Sequence, residues 1–281
     1  MTQRLSSALS DYEARDGSLQ AVRVFDSQPA SDKVLILLHG VTEPGKYLVP
    51  MAEFIANEGL ANVVVPDLRG YGDNPARRGD IDYIGQFDDD LEDLVALIRK
   101  RRPDAKIIMG GHSLGGGTVL RQAIKPVAKE IYSFLLLSPA LNNGSPVFRK
   151  GNTNESITNV PRIVLLMLLN SVGIRRWNGA IVYRRMTPKE QLHGTESLNL
   201  SFRLMLSRVP GNNIGDYISR LTANSFILVG SEDEVFVPEA YQPIFAKHSK
   251  LGIHILQGHN HDQIIQTEQA LATIGQWMKE L

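Results

Sequence analysis

The 281-residue chain contains no cysteine. That excludes disulfides, a thiolate nucleophile and cysteine-ligated metals together. It also lacks net charge, since 30 Lys and Arg balance 30 Asp and Glu; nothing global points to nucleic acid or a strongly charged partner. No apolar run is long enough to span a bilayer, and Met1 to Gln20 is polar, without the apolar stretch of a secretion signal. A soluble, cytoplasmic protein is expected. The glycine-rich stretch from Gly110 to Gly117 is no phosphate-binding loop, because Gly117 and Thr118 stand where a lysine is needed after Gly116. Nor is it a dinucleotide fingerprint, because Gly115-x-Gly117 runs on to Leu120 instead of Gly or Ala.

That same stretch holds the strongest signal in the chain. The apolar, β-type run from Lys106 to Met109 leads into Gly111-His112-Ser113-Leu114-Gly115, a Gly-x-Ser-x-Gly pattern. Glycines two residues either side of a serine are needed where a strand turns at once into a helix, because a side chain there would clash. The turn lifts the serine oxygen above the sheet edge and aims the backbone N–H of Leu114 at the place where an oxyanion would form.

Around this pattern the chain alternates strands and helices. An opening hairpin is predicted from Tyr12 to Arg15 and Ala21 to Asp26, flanking Asp16-Gly17. Buried strands follow at Val34 to Leu38, Asn62 to Val65, Lys106 to Met109, Ser133 to Leu137, Ser225 to Val229 and Gly252 to Leu256. Helical spacing of apolar residues fills the intervals, from Leu48 to Gly59, Ile84 to about Arg102, after Ser113 to about Lys125, after Pro238 and from Gln263 to Glu280. The Asp88-Asp89-Asp90 run reads as partly a solvated helix face. This order implies a mostly parallel, doubly wound sheet with right-handed crossovers.

The rhythm breaks between Ser138 and about Leu221. Residues 1–138 and 222–281 read as the core, and 139–221 as an inserted cap over the ligand side of the sheet. In the cap, Asn142 to Asn159 reads as a mobile connection, Ile163 to Leu169 is almost wholly apolar, and Leu198 to Leu206 has helical spacing. From Ala140 to Thr222 there are eleven Lys and Arg against four Asp and Glu, leaving nineteen against twenty-six elsewhere.

Ser113, Asp233 and His261 all fall just past the C-terminal end of a predicted parallel strand, the side where open α/β sheets bind ligands. A serine hydroxyl is a poor nucleophile until an imidazole can take its proton, and a carboxylate fixes that imidazole's tautomer. His259 competes with His261 as the base, and Glu232 and Glu234 flank Asp233. A His259-x-His261-Asp262 metal site has no other metal-like cluster to support it, and no metal or cofactor is expected. His112 and His39 read as structural residues, and His193, His248 and His254 as surface or core.

The order Ser, acid, His, together with His39-Gly40, Asp67-Leu68-Arg69-Gly70-Tyr71-Gly72, Gly111 to Gly116, Gly230-Ser231-Glu232-Asp233 and Gly258 to His261, resembles the α/β-hydrolases of the lysophospholipase and monoacylglycerol-lipase-like group. The likeness runs from about Val22 to the C-terminus, outside the insertion. It implies an α/β-hydrolase fold with Ser113 as nucleophile, His261 as base and then acid, Asp233 as its orienting carboxylate, and the N–H groups of Val41 and Leu114 as oxyanion hole. Two positions depart from the group: Pro44 follows Glu43 where members commonly have histidine, and Tyr71 stands in place of histidine in the Arg-Gly-His-Gly form.

The resemblance implies a serine hydrolase acting on a carboxylic ester through an acyl-enzyme. The apolar stretches of the cap suggest a lipid-like ester such as a lysophospholipid or monoglyceride, with Leu165, Leu166, Leu169 and Met205 as candidate substrate-binding residues. Those same stretches read equally as the cap's own packing face. The basic excess of the cap suits an anionic head group or transient contact with a membrane surface. A small-ester carboxylesterase or an acyltransferase would use the same residues, and a non-catalytic ligand-binding relative would keep only the fold.

Overall fold

A computed structural model describes residues 9–142, 144–149, 156–188, 190 and 192–281. Its strands are β1 (Leu9–Glu13), β2 (Leu19–Phe25), β3 (Lys33–Leu38), β4 (Asn62–Pro66), β5 (Lys106–His112), β6 (Ile131–Leu137), β7 (Ser156–Thr158), β8 (Ile181–Arg185), β9 (Asn199–Ser201), β10 (Phe226–Gly230) and β11 (Ile253–Leu256). Its helices are α1 (Val49–Asn57), α2 (Gln86–Arg101), α3 (Leu114–Gln122), α4 (Val160–Ser171), α5 (Phe202–Arg208), α6 (Ile214–Ile218), α7 (Tyr241–Phe245) and α8 (Glu268–Lys279).

The main sheet has eight strands in the order β1-β2-β4-β3-β5-β6-β10-β11. The opening hairpin pairs antiparallel, β2 pairs antiparallel with β4, and every later neighbour is parallel. β3 is flanked by the next two strands of the sheet, β4 on one side and β5 on the other. The winding therefore reverses at β3, and the C-terminal ends of β3 and β5 are where open sheets of this kind bind ligands.

Side-chain alternation explains why the central strands are apolar throughout. Val34, Ile36 and Leu38 of β3 face one core with α2 and α3, while Leu35 and Leu37 face a second with α1 and α8. Each strand residue points opposite to its neighbour, so a sheet covered on both faces needs an unbroken apolar run.

Several boundaries differ from the sequence-based expectation. β5 runs on to His112, so the strand ends directly against Ser113. The last helix begins at Glu268, where the Thr267 hydroxyl caps it by accepting from the N–H of Ala270, and Gln263–Ile265 is a separate 3-10 turn. Leu198 to Leu206 is not one helix. β9 ends at Ser201, whose side chain caps α5 by accepting from Leu204 N–H. The aspartate run is a solvated face only at its middle residue, since Asp89 stays half-exposed while its neighbours do not. Asp88 is buried against Arg121 and Lys125, and Asp90 is buried against Arg69.

Between β6 and β10 lies a small antiparallel sheet, β7-β8-β9, separate from the main one. Leu166, Val182 and Phe202 form its own apolar cluster. Part of the expected mobile connection, at residues 143 and 150–155, lies outside the described residues. The described part is anchored: Val147 is buried and Phe148 bridges to Phe236.

Candidate active site

The chain passes from β5 into α3 through Ser113, which sits at φ 57° and ψ −120°. A non-glycine residue with positive φ is strained and persists only where its surroundings fix it. Here they do. Ser113 N–H donates to Leu137 O at 2.9 Å, while Ser113 O accepts from Gly117 and Ala140. The flanking glycines are required by contact, because a Cβ on Gly111 would lie 2.5 Å from Gly115 backbone and one on Gly115 would lie 2.3 Å from Leu38 O. The helix start is thus pressed onto the end of β3.

The candidate acid and base, Asp233 and His261, lie in the turns after β10 and β11. Asp233 is fully buried, and its Oδ2 accepts from His261 Nδ1 at 2.8 Å. Its Oδ1 accepts from the N–H groups of Val235 at 2.9 Å and Phe236 at 2.8 Å. Burial alone would raise the Asp233 pKa, but the hydrogen bond and charge of His261, with the Phe236 N–H, hold it below the usual carboxylate range. A carboxylate at Nδ1 makes that nitrogen the donor and leaves Nε2 on the opposite side of the ring. Arg149 fastens the turn by donating twice to Asp233 O, at 2.9 and 2.7 Å.

The competing residues have other partners. His259 Nδ1 bonds Gln257 O at 2.7 Å and its Nε2 bonds Thr267 Oγ1 at 2.8 Å, so both ring nitrogens are engaged. Glu232 is exposed, and Glu234 accepts from the backbone N–H of His261. His112, His261 and Asp262 each bring one possible metal-ligand atom within 4.8 Å of the others. His112 cannot serve as such a ligand, because its Nδ1 bonds Tyr47 OH at 3.1 Å and its Nε2 bonds His261 O at 3.0 Å. His193 and His248 lie in loops, and His254 stacks on Phe226 with centroids 4.3 Å apart.

The loop after β3 comes up against the serine. A Cβ on Gly40 would sit 3.5 Å from Ser113 Cβ, which brings this backbone to the serine. Gly40 N–H donates to Tyr47 OH at 2.7 Å, and Gly40 O lies 3.1 Å from His39 Nδ1. His39 Nε2 accepts from Leu68 N–H at 3.0 Å, so Nδ1 carries the proton and donates to Gly40 O. Burial, and then the charge of Arg208, push the His39 pKa well below 6.5 and keep the ring neutral. Neither Val41 N–H nor Leu114 N–H donates to a protein acceptor among the described residues. Pro44 leads into the turn Gly45–Leu48, and Tyr71 is buried edge-on to His39 at 4.7 Å.

The candidate substrate-binding residues are dispersed. Leu165 is 56% exposed, Leu166 is buried in the small apolar cluster, Leu169 packs at its edge, and Met205 bridges that cluster and the main core.

A serine at positive φ between a strand and a helix, in a sheet whose last two parallel strands lead into turns carrying a hydrogen-bonded Asp–His pair, matches the layout of the α/β-hydrolase fold. Residues 29–268 match the family described as serine aminopeptidase, S33. The chain belongs to that family. Among curated relatives, this S33 chain is 31% identical over 110 residues to a monoacylglycerol lipase of Mycolicibacterium smegmatis, across 39% of the chain and 38% of the relative. The match therefore spans well under half of that relative's length. Among solved structures, a Paleococcus ferrophilus monoacylglycerol lipase superposes with a TM-score of 0.67 at 21% identity, covering 93% of this chain and 98% of that one. A soluble variant of the Saccharomyces cerevisiae monoglyceride lipase, bound to a substrate analogue, does so at 0.66 and 17% identity, covering 99% and 96%. A thermophilic esterase of Thermogutta terrifontis gives 0.64 at 16%, covering 97% and 98%. These solved structures share the fold of this S33 member.

Sequence reasoning missed Tyr47, Arg149 and Arg208, all of which bond backbone atoms of the site. Nothing local marks them. Arg149 and Arg208 act on residues 84 and 168 positions away, and Tyr47 joins Gly40, seven positions away, to His112, 65 positions away.

Proposed function

We propose that the chain is a serine hydrolase that cleaves carboxylic esters through an acyl-enzyme, with lipid-like esters such as monoglycerides or lysophospholipids as substrates. The observation that carries this is Ser113, held at positive φ on the elbow, in a fold that also presents a buried Asp233–His261 pair. Ser113 Oγ attacks the carbonyl carbon as His261 Nε2 takes its proton, and Asp233 stabilises the imidazolium. The oxyanion meets the N–H groups of Val41 and Leu114, each such donor being worth about 3 kcal/mol at the transition state. His261 then protonates the leaving alcohol, and water activated by the same ring releases the acid.

The lipid preference is supported by the monoacylglycerol lipase relative and by the apolar stretches of the segment 139–221, which we read as a cap over the ligand side of the sheet. Exposed apolar side chains on and after α4, including Val160, Leu168, Val172 and Trp177, lie beside Arg162, Arg175 and Arg176. That mixture suits contact with an anionic lipid surface.

The test is kcat/KM over p-nitrophenyl esters from short to long acyl chains, with an aminoacyl p-nitroanilide alongside and Ser113→Ala as the blank. The expected profile rises with chain length, and Ser113→Ala and His261→Ala each lose on the order of 10⁶ in kcat. His259→Ala is expected to lose far less. A short-chain optimum would make the protein a small-ester carboxylesterase. Preference for the anilide would make it a peptidase, and Ser113-independent turnover would sink the assignment.

A further inference from the structure

Arg208, at the end of α5, is a fully buried charged side chain. Its guanidinium donates to Thr118 Oγ1 at 3.1 Å, to Gly40 O at 2.8 Å and to His39 O. The rings of Tyr71 and Phe87 lie 5.2 and 5.9 Å from its central carbon. All three hydrogen-bond acceptors are neutral oxygens, and among the described residues no carboxylate pairs with it. Burying a cation without a counter-ion is costly, and the fold has no need of one merely to fill space.

What the guanidinium grips is informative. Gly40 O accepts from Arg208 Nη1 and from the Nδ1–H of His39, so the carbonyl is held from the interior by both. The peptide bond is planar and trans, so the N–H of Val41 must point opposite to that carbonyl. Gly40 itself abuts Ser113. The other end of the fork reaches Thr118, whose hydroxyl also lies 2.9 Å from Leu114 O. One side chain thus ties the backbone carrying the Val41 N–H to the first turn of the helix carrying the Leu114 N–H.

We propose that Arg208 is a positioning residue that sets the oxyanion hole: it clamps the carbonyls of His39 and Gly40 so that the Val41 N–H faces the site in register with that of Leu114. The proposal rests on the hydrolase reading above. It also gives the segment between β6 and β10 a part in the chemistry, because the clamp is supplied from α5. A planar fork is required, because a lysine ammonium keeps the charge but cannot span both carbonyls and the hydroxyl.

The test compares wild type with Arg208→Lys on the best p-nitrophenyl ester, with active-site titration by a fluorophosphonate. An alkyl boronic acid, whose boron bonds the serine oxygen to form a tetrahedral adduct, reports on the oxyanion hole. The expected result is a fall of about 10- to 100-fold in kcat per titrated site with KM within about twofold, and a matching loss of boronic acid affinity. A merely structural role would lower the titrated fraction and leave both per-site values unchanged, and that outcome overturns the proposal. Should Arg208→Lys not fold, Thr118→Val decides. It keeps the shape and removes the Nε anchor; a smaller fall of the same kind supports the clamp, and unchanged kcat and boronic acid affinity overturn it. Activity that survives Ser113→Ala would sink the hydrolase reading itself, whereas Ser113-dependent activity indifferent to Arg208 would sink only the clamp.

Discussion

His112 is only 2% exposed, and its ring bonds Tyr47 OH on one side and His261 O on the other. Burial, with the neighbouring His261 charge, pushes its pKa down from 6.5 to about 3. Below pH 6.5 the unfolded chain therefore binds a proton that the folded protein refuses, so stability is lost as pH falls and the loss levels off near pH 3. The slope from this one residue is about 1.4 kcal/mol per pH unit inside that window. Urea unfolding between pH 6 and pH 4.5 is expected to show it, with His112→Gln flattening the dependence by that amount. An unchanged slope in the variant would mean that the ring is protonated in the fold. At this scale the sequence is legible where chemistry depends on near neighbours. Gly111 and Gly115 mark Ser113, and the turns after β10 and β11 mark Asp233 and His261. It is silent on Arg208, because a lone arginine at the end of an apolar stretch looks the same whether it ends in solvent or beneath the oxyanion loop.

The element that sets the geometry is α3. Its first turn lies on the backbone of β3 with no side chain between, and a Cβ at Gly115 would come within 2.3 Å of Leu38 O and 2.6 Å of His39 O. Both obstacles are backbone, so no rotamer change relieves them and the helix must move. Gly115→Ala is expected to cost about 1–3 kcal/mol in urea unfolding. It should also lower kcat by more than that loss explains, because the shift separates the Leu114 N–H from the loop bearing Val41. Gly252→Ala is the control, since nothing lies within 4 Å of its Cβ; its stability should stay within about 0.5 kcal/mol of wild type. An equal effect at both glycines would refute the close-packing argument. Elements buried on both sheet faces, such as β3, β4 and β5, are readable because their apolar runs have one physical explanation. The β9–α5 junction is not, since the same apolar spacing serves a strand, a cap and a helix until the main core supplies the other side. The aspartate run misleads for a related reason: Asp88 is buried only because Arg121 of α3 comes across to meet it.

Across the whole molecule the charge balance conceals a polarity. The segment between β6 and β10 has the basic excess, and its α4 buries Leu166 while leaving Val164, Leu165 and Leu168 exposed. Just beyond it, Val172 is 71% exposed and Trp177 52% exposed, on either side of Arg175 and Arg176. An amphipathic indole beside guanidinium groups is suited to the boundary between acyl chains and head groups, with the cations attracted to anionic lipid. Flotation with vesicles containing an anionic phospholipid should therefore carry the protein upward, and neutral vesicles should carry less of it. Raising the salt should weaken the anionic component, because exposed charges are screened over about 10 Å at 0.1 M. The double variant Val172→Asp with Trp177→Ala removes the apolar contact and places a negative charge at the surface, and should reduce vesicle binding about tenfold or more. Its kcat/KM on a short, water-soluble p-nitrophenyl ester should stay at the wild-type value, since both residues are exposed and among the described residues neither hydrogen-bonds to Ser113, Asp233 or His261. Vesicle binding unaffected by the double variant would place the lipid contact elsewhere, and loss of the soluble activity would tie this corner of the segment to the site itself.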